Sequence, residues 1–146
     1  MDEEALFALV NEAVMYAKER LERGDILAPF AMILHDNGNI ESLNSKAENF
    51  DTAYEDLVLQ LRQSVKDDPS ISALSIVTRV TIPEQYDAAT PNGLRVHLEE
   101  RHKRGNKIGA RFLYVPYQLY KNSQTDALTL QLHTPIPVSF PPEIFV

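Results

Sequence analysis

The chain contains no cysteine and no tryptophan, and its five glycines are scattered along it. Without cysteine there is no disulfide, no thiolate nucleophile and no cysteine-ligated metal site, which fits a reducing compartment. The glycines form neither a phosphate-binding loop nor a dinucleotide fingerprint, and no serine lies in a nucleophile elbow. We therefore expect no cofactor, and the sequence leans away from an enzyme.

A long apolar run is also lacking, and residues 1–10 begin with acidic side chains where a secretory signal would carry lysine or arginine. Both absences predict a cytoplasmic protein that does not bind membranes. With 146 residues, 44% of them hydrophobic, the chain is long enough to bury roughly two thirds of its unfolded surface. We expect a single domain over residues 1–146.

The net charge of −7 is unevenly distributed. Residues 1–60 hold 13 acidic and 4 basic side chains, a net −9, whereas residues 61–146 hold 8 and 10, a net +2. The acidic first part would repel a phosphate backbone, which argues against nucleic acid as a partner. It also leaves open a role as an acidic neutralising partner of a basic protein.

Hydrophobic periodicity predicts two amphipathic helices, at residues 3–23 and 50–66, with a hairpin between them that turns at Asn37 and Gly38. Alternating apolar positions after the second helix predict strands at residues 72–82, 94–102, 109–120 and 127–133. The order α-β-β-α-β-β-β-β indicates an α+β domain with an antiparallel sheet of five to six strands and both helices on one face. Profilin-like and roadblock-like domains share this layout, and they scaffold or dimerise.

The stretch VHLEERH, residues 96–102, holds two histidines and two glutamates. On a strand, His97 and Glu99 lie on one face and Glu100 and His102 on the other. A two-residue turn at Gly105 and Asn106 would place Leu98 opposite Leu113 and Glu100 opposite Arg111. This register favours a solvated hairpin end held by charge pairs.

The alternative is a metal-dependent hydrolase, in which His97 and Glu99, or Glu100 and His102, bind an ion with a third ligand from His35 or His133. Each histidine–glutamate pair supplies only two ligands, so the solvated strand is favoured and no metal is predicted.

Two further segments are candidates for binding. A basic hairpin is either an anion patch or a soluble strand end protected from aggregation. It contains Arg101, Lys103, Arg104, Lys107 and Arg111.

Residues 134–146 carry four prolines and are predicted to be extended. The apolar side chains of Phe140, Ile144 and Phe145 need cover, either on the chain's own domain or across a homodimer interface. We predict that residues 136–146 are packed rather than mobile.

The stretches PFAMILHDNGNI, VHLEER and FLYVPYQLY resemble a group of small bacterial proteins of unassigned function. The resemblance covers roughly residues 5–120, and it implies no activity. It rests on Pro29, Phe30, Gly38, Val96, Leu98, Glu99, Pro116 and Tyr117.

The resemblance adds Glu99 and Tyr117 to His97 as the side chains that an active site would use. Together these observations predict a non-enzymatic protein-binding or adaptor domain that acts as a homodimer.

Overall fold

The computed structural model describes residues 3–45 and 49–146. It contains two α-helices, α1 (Glu3–Glu22) and α2 (Phe50–Asp67). Its strands are β1 (Phe30–His35), β2 (Ile40–Asn44), β3 (Ile71–Thr81), β4 (Asn92–Glu100), β5 (Ala110–Lys121), β6 (Leu128–Leu132) and β7 (Ile136–Phe140). Short 3₁₀ helices cover Glu84–Tyr86 and Arg101–Lys103.

The strands form one antiparallel sheet in the order β2-β1-β3-β4-β5-β6, and β7 also pairs with β5. The predicted α+β class and the order of helices and strands are confirmed. Seven strands are present rather than five or six, because residues 136–140 form β7 beside Ala110–Tyr114. Gly38, with φ of 89°, lies in the turn of the β1–β2 hairpin as predicted, but Asn37 does not share its positive φ.

Helix α1 covers one face of the sheet. Its buried stripe is Leu9, Ala13, Ala17 and Leu21. The stripe belongs to the same cluster as alternate residues of the central strands, among them Phe30, Met32, Leu34, Val77, Leu94, Val96 and Leu98. This face is built almost wholly from apolar side chains.

Helix α2 lies on the opposite face, so the prediction that both helices share a face is wrong. Its buried residues Leu57 and Leu61 cluster with Ala31, Ile33 and Leu74, which alternate with the β1 and β3 residues beneath α1. The sequence interpretation treated the second strand face as polar, but β1 and β3 carry small and apolar residues at both odd and even positions. A central strand with two apolar faces needs cover on both sides.

The connection between β4 and β5 is longer than predicted. Residues 101–103 form a 3₁₀ helix, and backbone hydrogen bonds from Asn106 to Lys103 and from Gly109 to Asn106 continue the turn. Leu98 therefore lies opposite Arg111 rather than Leu113. Because the shift is two residues, each side chain keeps its predicted face.

The C-terminal segment folds back onto its own domain. Phe140 in β7 packs its ring 4.1 Å from that of Phe112, measured between centroids. Ile144 and Phe145 are buried in the core beneath α2. Within residues 3–45 and 49–146, neither α1 nor α2 combines the length and apolar composition needed to cross a membrane.

Replacing Phe145 by alanine is expected to lower the free energy of unfolding by about 3 to 5 kcal/mol, because a buried ring is lost and leaves a cavity. Urea unfolding followed by circular dichroism measures the change. Val146→Ala is the control, because Val146 is 64% exposed and its truncation should change the value by no more than about 0.5 kcal/mol. Equal stability of the two variants would contradict a docked tail.

Candidate functional site

Strand alternation places His97 and Glu99 on the α2 face of β4, and both are buried, each with 1% of its surface exposed. The predicted solvated strand end is wrong at these positions. Glu100 on the other face is also buried, and it pairs with Lys103 at 3.1 Å. Residues 96–100 are therefore part of the interior, whereas Arg101 is half-buried and His102 is exposed as predicted.

The Glu99 carboxylate binds the backbone of the C-terminal tail. It accepts hydrogen bonds from the backbone N–H groups of Glu143 at 2.9 Å, Ile144 at 3.0 and 3.2 Å, and Phe145 at 3.0 Å. Three successive N–H groups pointing at one anion form a concave site of the kind that elsewhere holds phosphates. Here the anion is a side chain of the same molecule.

His97 connects Glu99 to helix α2. Its Nε2 lies 2.5 Å from Glu99 Oε2, and its Nδ1 lies 2.7 Å from the Tyr54 hydroxyl. Burial, and then the negative charge of Glu143, raise the pKa of Tyr54, so its phenol keeps its proton. Nε2–H donates to the carboxylate, because a carboxylate can only accept, and Nδ1 shares a hydrogen bond with the Tyr54 hydroxyl.

Glu99 is ionised in this arrangement. Burial by itself would raise the pKa of this carboxyl, but the hydrogen bond from His97 and those from the tail backbone outweigh it and lower the pKa below its usual value. The negative charge is therefore part of the folded state.

Two arginines hold the same region from the α2 side. Arg62 Nε donates to the Glu143 carbonyl at 2.6 Å. Arg101 donates to the carbonyls of Ile71, Val65 and Asp68 at 2.7, 3.0 and 3.1 Å, and its guanidinium lies 5.1 Å from the centre of the Phe145 ring. Arg101 thus closes the turn between α2 and β3 and covers the tail.

The His97 imidazole and the Glu99 carboxylate are both occupied by hydrogen bonds within the protein. Both ring nitrogens of His97 have partners, and both Glu99 oxygens accept backbone N–H groups. Proton transfer to a substrate would need one of these atoms to be free and accessible. The arrangement therefore acts as a clamp, here called the Glu99 clamp, formed by Tyr54, His97, Glu99 and the backbone of residues 143–145.

The other residues considered for a metal site lie apart from the Glu99 clamp. His35 binds the Ser70 hydroxyl at 3.1 Å and Glu41 at 3.2 Å. His133 follows β6, and its backbone N–H donates to the Pro116 carbonyl. Among residues 3–45 and 49–146, no group of three or more histidine, aspartate or glutamate side chains is placed to hold a metal ion. Neither His35 nor His133 therefore joins His97 and Glu99 as the third ligand that the hydrolase hypothesis requires.

The remaining predicted site residues are dispersed. Tyr117 is buried on the α1 face, opposite His97 and Glu99. Of the basic hairpin, Arg101 and Lys103 are engaged as described. Arg104, Lys107 and Arg111 remain exposed. Arg101 and Arg104 line one cleft, and Lys103 and Arg111 line another, so a single anion patch of all five side chains stays a prediction.

Sequence reasoning missed Tyr54 and Glu143 as neighbours of the heptapeptide. Tyr54 fits the apolar stripe of α2 and carries no sign of a polar role. Tyr54 precedes His97 by 43 residues, and Glu143 follows Glu99 by 44. The sequence offered one signal for this pairing. Glu99 lies on a predicted strand, and the apolar tail needs a site on the domain to which it can bind.

Comparison with known proteins gives no match: neither the sequence nor the fold matches a protein-family model, a curated protein or a solved structure.

Replacing Glu99 by glutamine is expected to lower the free energy of unfolding by about 3 kcal/mol, because the amide places N–H donors against N–H donors and removes the charge. Urea unfolding measures this change. Glu12→Gln is the matched control on the exposed face of α1, with an expected effect within about 0.5 kcal/mol. An unaltered stability of Glu99→Gln would show that the clamp contributes little.

The lowered pKa of Glu99 also predicts acid sensitivity. The stabilisation is complete above the pKa of an unfolded glutamate, about 4.3, and is lost as the pH falls through the lower folded value. The free energy of unfolding should fall below that pH, and it should fall less steeply in Glu99→Gln. Asp68, whose pKa the Ser70 hydroxyl and backbone N–H lower, should leave some acid sensitivity in the variant.

Proposed function

We propose that this chain is a non-enzymatic protein-binding or adaptor domain that works as a homodimer. The engaged state of His97 and Glu99 supports a binding role over a catalytic one. The observation that carries the dimer is a groove between the start of α1 and the ends of β4 and β5, with a volume of about 570 Å³.

The groove has apolar walls. Leu6, Phe7 and Val10 of α1 form one wall, and Leu98 and Leu113 form the other. Phe7 is 74% exposed, which is costly for an aromatic side chain in water. Exposed aromatic surface beside a groove is typical of a binding interface.

The charges beside the groove are self-complementary. Glu3 lies on the helix side and Arg111 on the strand side, and both are exposed. Within the described residues, no ion pair joins Arg111 to a carboxylate. In a two-fold interface each contact occurs twice with the partners exchanged, so the acid of one copy can meet the base of the other. A second copy of this chain is therefore the proposed occupant.

The test is the mass in solution across micromolar concentrations, measured by light scattering or sedimentation. The wild type should dimerise with rising concentration, and Phe7→Glu should weaken association at least about tenfold, because it puts a charge in the apolar contact. Leu59→Glu is the control, since Leu59 is 62% exposed on α2 and lies outside the groove; it should leave association unchanged.

A charge exchange tests the pairing itself. Glu3→Arg should weaken the dimer, and adding Arg111→Glu should restore it, because the two charges are exchanged across the interface. A wild type that stays monomeric at high micromolar concentration would contradict the dimer, and failure of the double variant to recover would contradict this interface.

A further inference from the structure

A second cleft, with a volume of about 530 Å³, lies along the open edge of β3. Strand β1 pairs with β3 only as far as Val77, where it meets Phe30. Residues 78–81 continue beside β4 but have no β1 neighbour. The cleft opens there, between this edge, the loop before β1 and helix α2.

Arg95 supplies a fixed positive charge to this cleft. Its guanidinium carbon lies 4.5 Å from the centre of the Phe112 ring and 5.0 Å from that of Tyr54. The two rings hold the guanidinium in place by cation–π contact. Within the described residues, the buried Nε of Arg95 has no hydrogen-bond acceptor.

Thr78 provides a second group without a partner. It lies directly opposite Arg95 in the β3–β4 register, so both side chains share one face and both line the cleft. Thr78 is 8% exposed, and its buried hydroxyl makes no hydrogen bond to the described residues. A buried polar group without a partner is costly, so two such groups in one cleft indicate a polar occupant.

The charged side chains that line the cleft are arginines, although the chain carries a net −7. Arg79 is a second arginine in the lining, and no aspartate or glutamate is among the described residues that line the cleft. Arginine binds carboxylate and phosphate oxygens through paired N–H groups. The complementary ligand is therefore an oxyanion.

We propose that this cleft binds a small organic anion, with a carboxylate or phosphate head held by Arg95 and Thr78, while Arg79 adds positive charge from the other face of β3. Apolar side chains of Ile26 and Leu27, together with Pro29 and Tyr117, line the remainder and suit an apolar body. Small-molecule sites typically have volumes of roughly 300 to 1,000 Å³, which includes this cleft. The site is separate from the dimer groove and does not depend on it.

The experiment is an amide NMR titration of the full chain with inorganic phosphate and, separately, with benzoate, in a buffer free of both ion types. Each effective probe should cause saturable shifts that concentrate at residues 78–81 and 92–95. Arg95→Gln should weaken binding at least about tenfold, because a charge-assisted contact is lost. Arg104→Gln is the control, an exposed arginine outside the cleft, and it should bind like the wild type.

Saturation by phosphate alone identifies a phosphate head, and saturation by benzoate identifies a carboxylate head; either result supports the site. Absence of saturable shifts with both probes, or equal binding by Arg95→Gln, overturns it. If Arg95→Gln does not fold, the pair Thr78→Val and Arg79→Gln decides the matter. Thr78→Val is isosteric and removes only the unpartnered hydroxyl, and Arg79→Gln removes a positive charge. Unchanged anion binding by the double variant also overturns the site.

Discussion

The structure depends on one buried anion, the carboxylate of Glu99. Removing a carboxylate from water costs several kcal/mol unless its oxygens are satisfied. The donors that satisfy it are His97 and three successive backbone N–H groups at residues 143–145. The Glu99 carboxylate therefore needs the N–H groups of the docked tail as donors. The buried N–H groups of the tail in turn need the carboxylate as their acceptor. Each half satisfies polar groups that the other would leave unpaired, and this couples the end of the chain to the centre of the sheet.

The two helices are consequently bound to the sheet by different kinds of interaction. Under α1 the core contacts are mainly apolar, with a hydrogen bond from the Leu130 backbone N–H to Glu22 of α1 at its edge. Under α2, apolar burial of Ile144 and Phe145 is combined with a polar relay from Tyr54 through His97 to Glu99. Hydrogen bonds are directional, so this relay fixes the position of α2 relative to β4 more narrowly than packing alone. The α2 face is also the one that should respond to acid, since its carboxylate titrates.

Prediction from the sequence succeeded where the information is local. Both helices, the Gly38 hairpin and the strands after α2 follow from periodicity and turn chemistry, and alternation placed His97 and Glu99 on one face. It failed where the partner is distant in the chain. Burial of Glu99 depends on residues 44 to 46 positions later, and no local pattern records that pairing. The placement of the helices on one face failed because Ala73 and Ser75, on the α1 face of β3, are compatible with either an exposed or a covered face.

Three arginines lie on the α2 side of the sheet. Two of them use N–H groups to bind the backbone, and the third does not. Arg62 and Arg101 lie beside the tail, and each donates to backbone carbonyls. Arg95 lies on the same face, but its neighbours are two aromatic rings, which attract the cation and accept none of its N–H groups in conventional hydrogen bonds. The rings fix its orientation without using its donors. A guanidinium held rigidly, with donors unused by the described residues, is preorganised for an external oxyanion, because little side-chain entropy remains to be lost on binding.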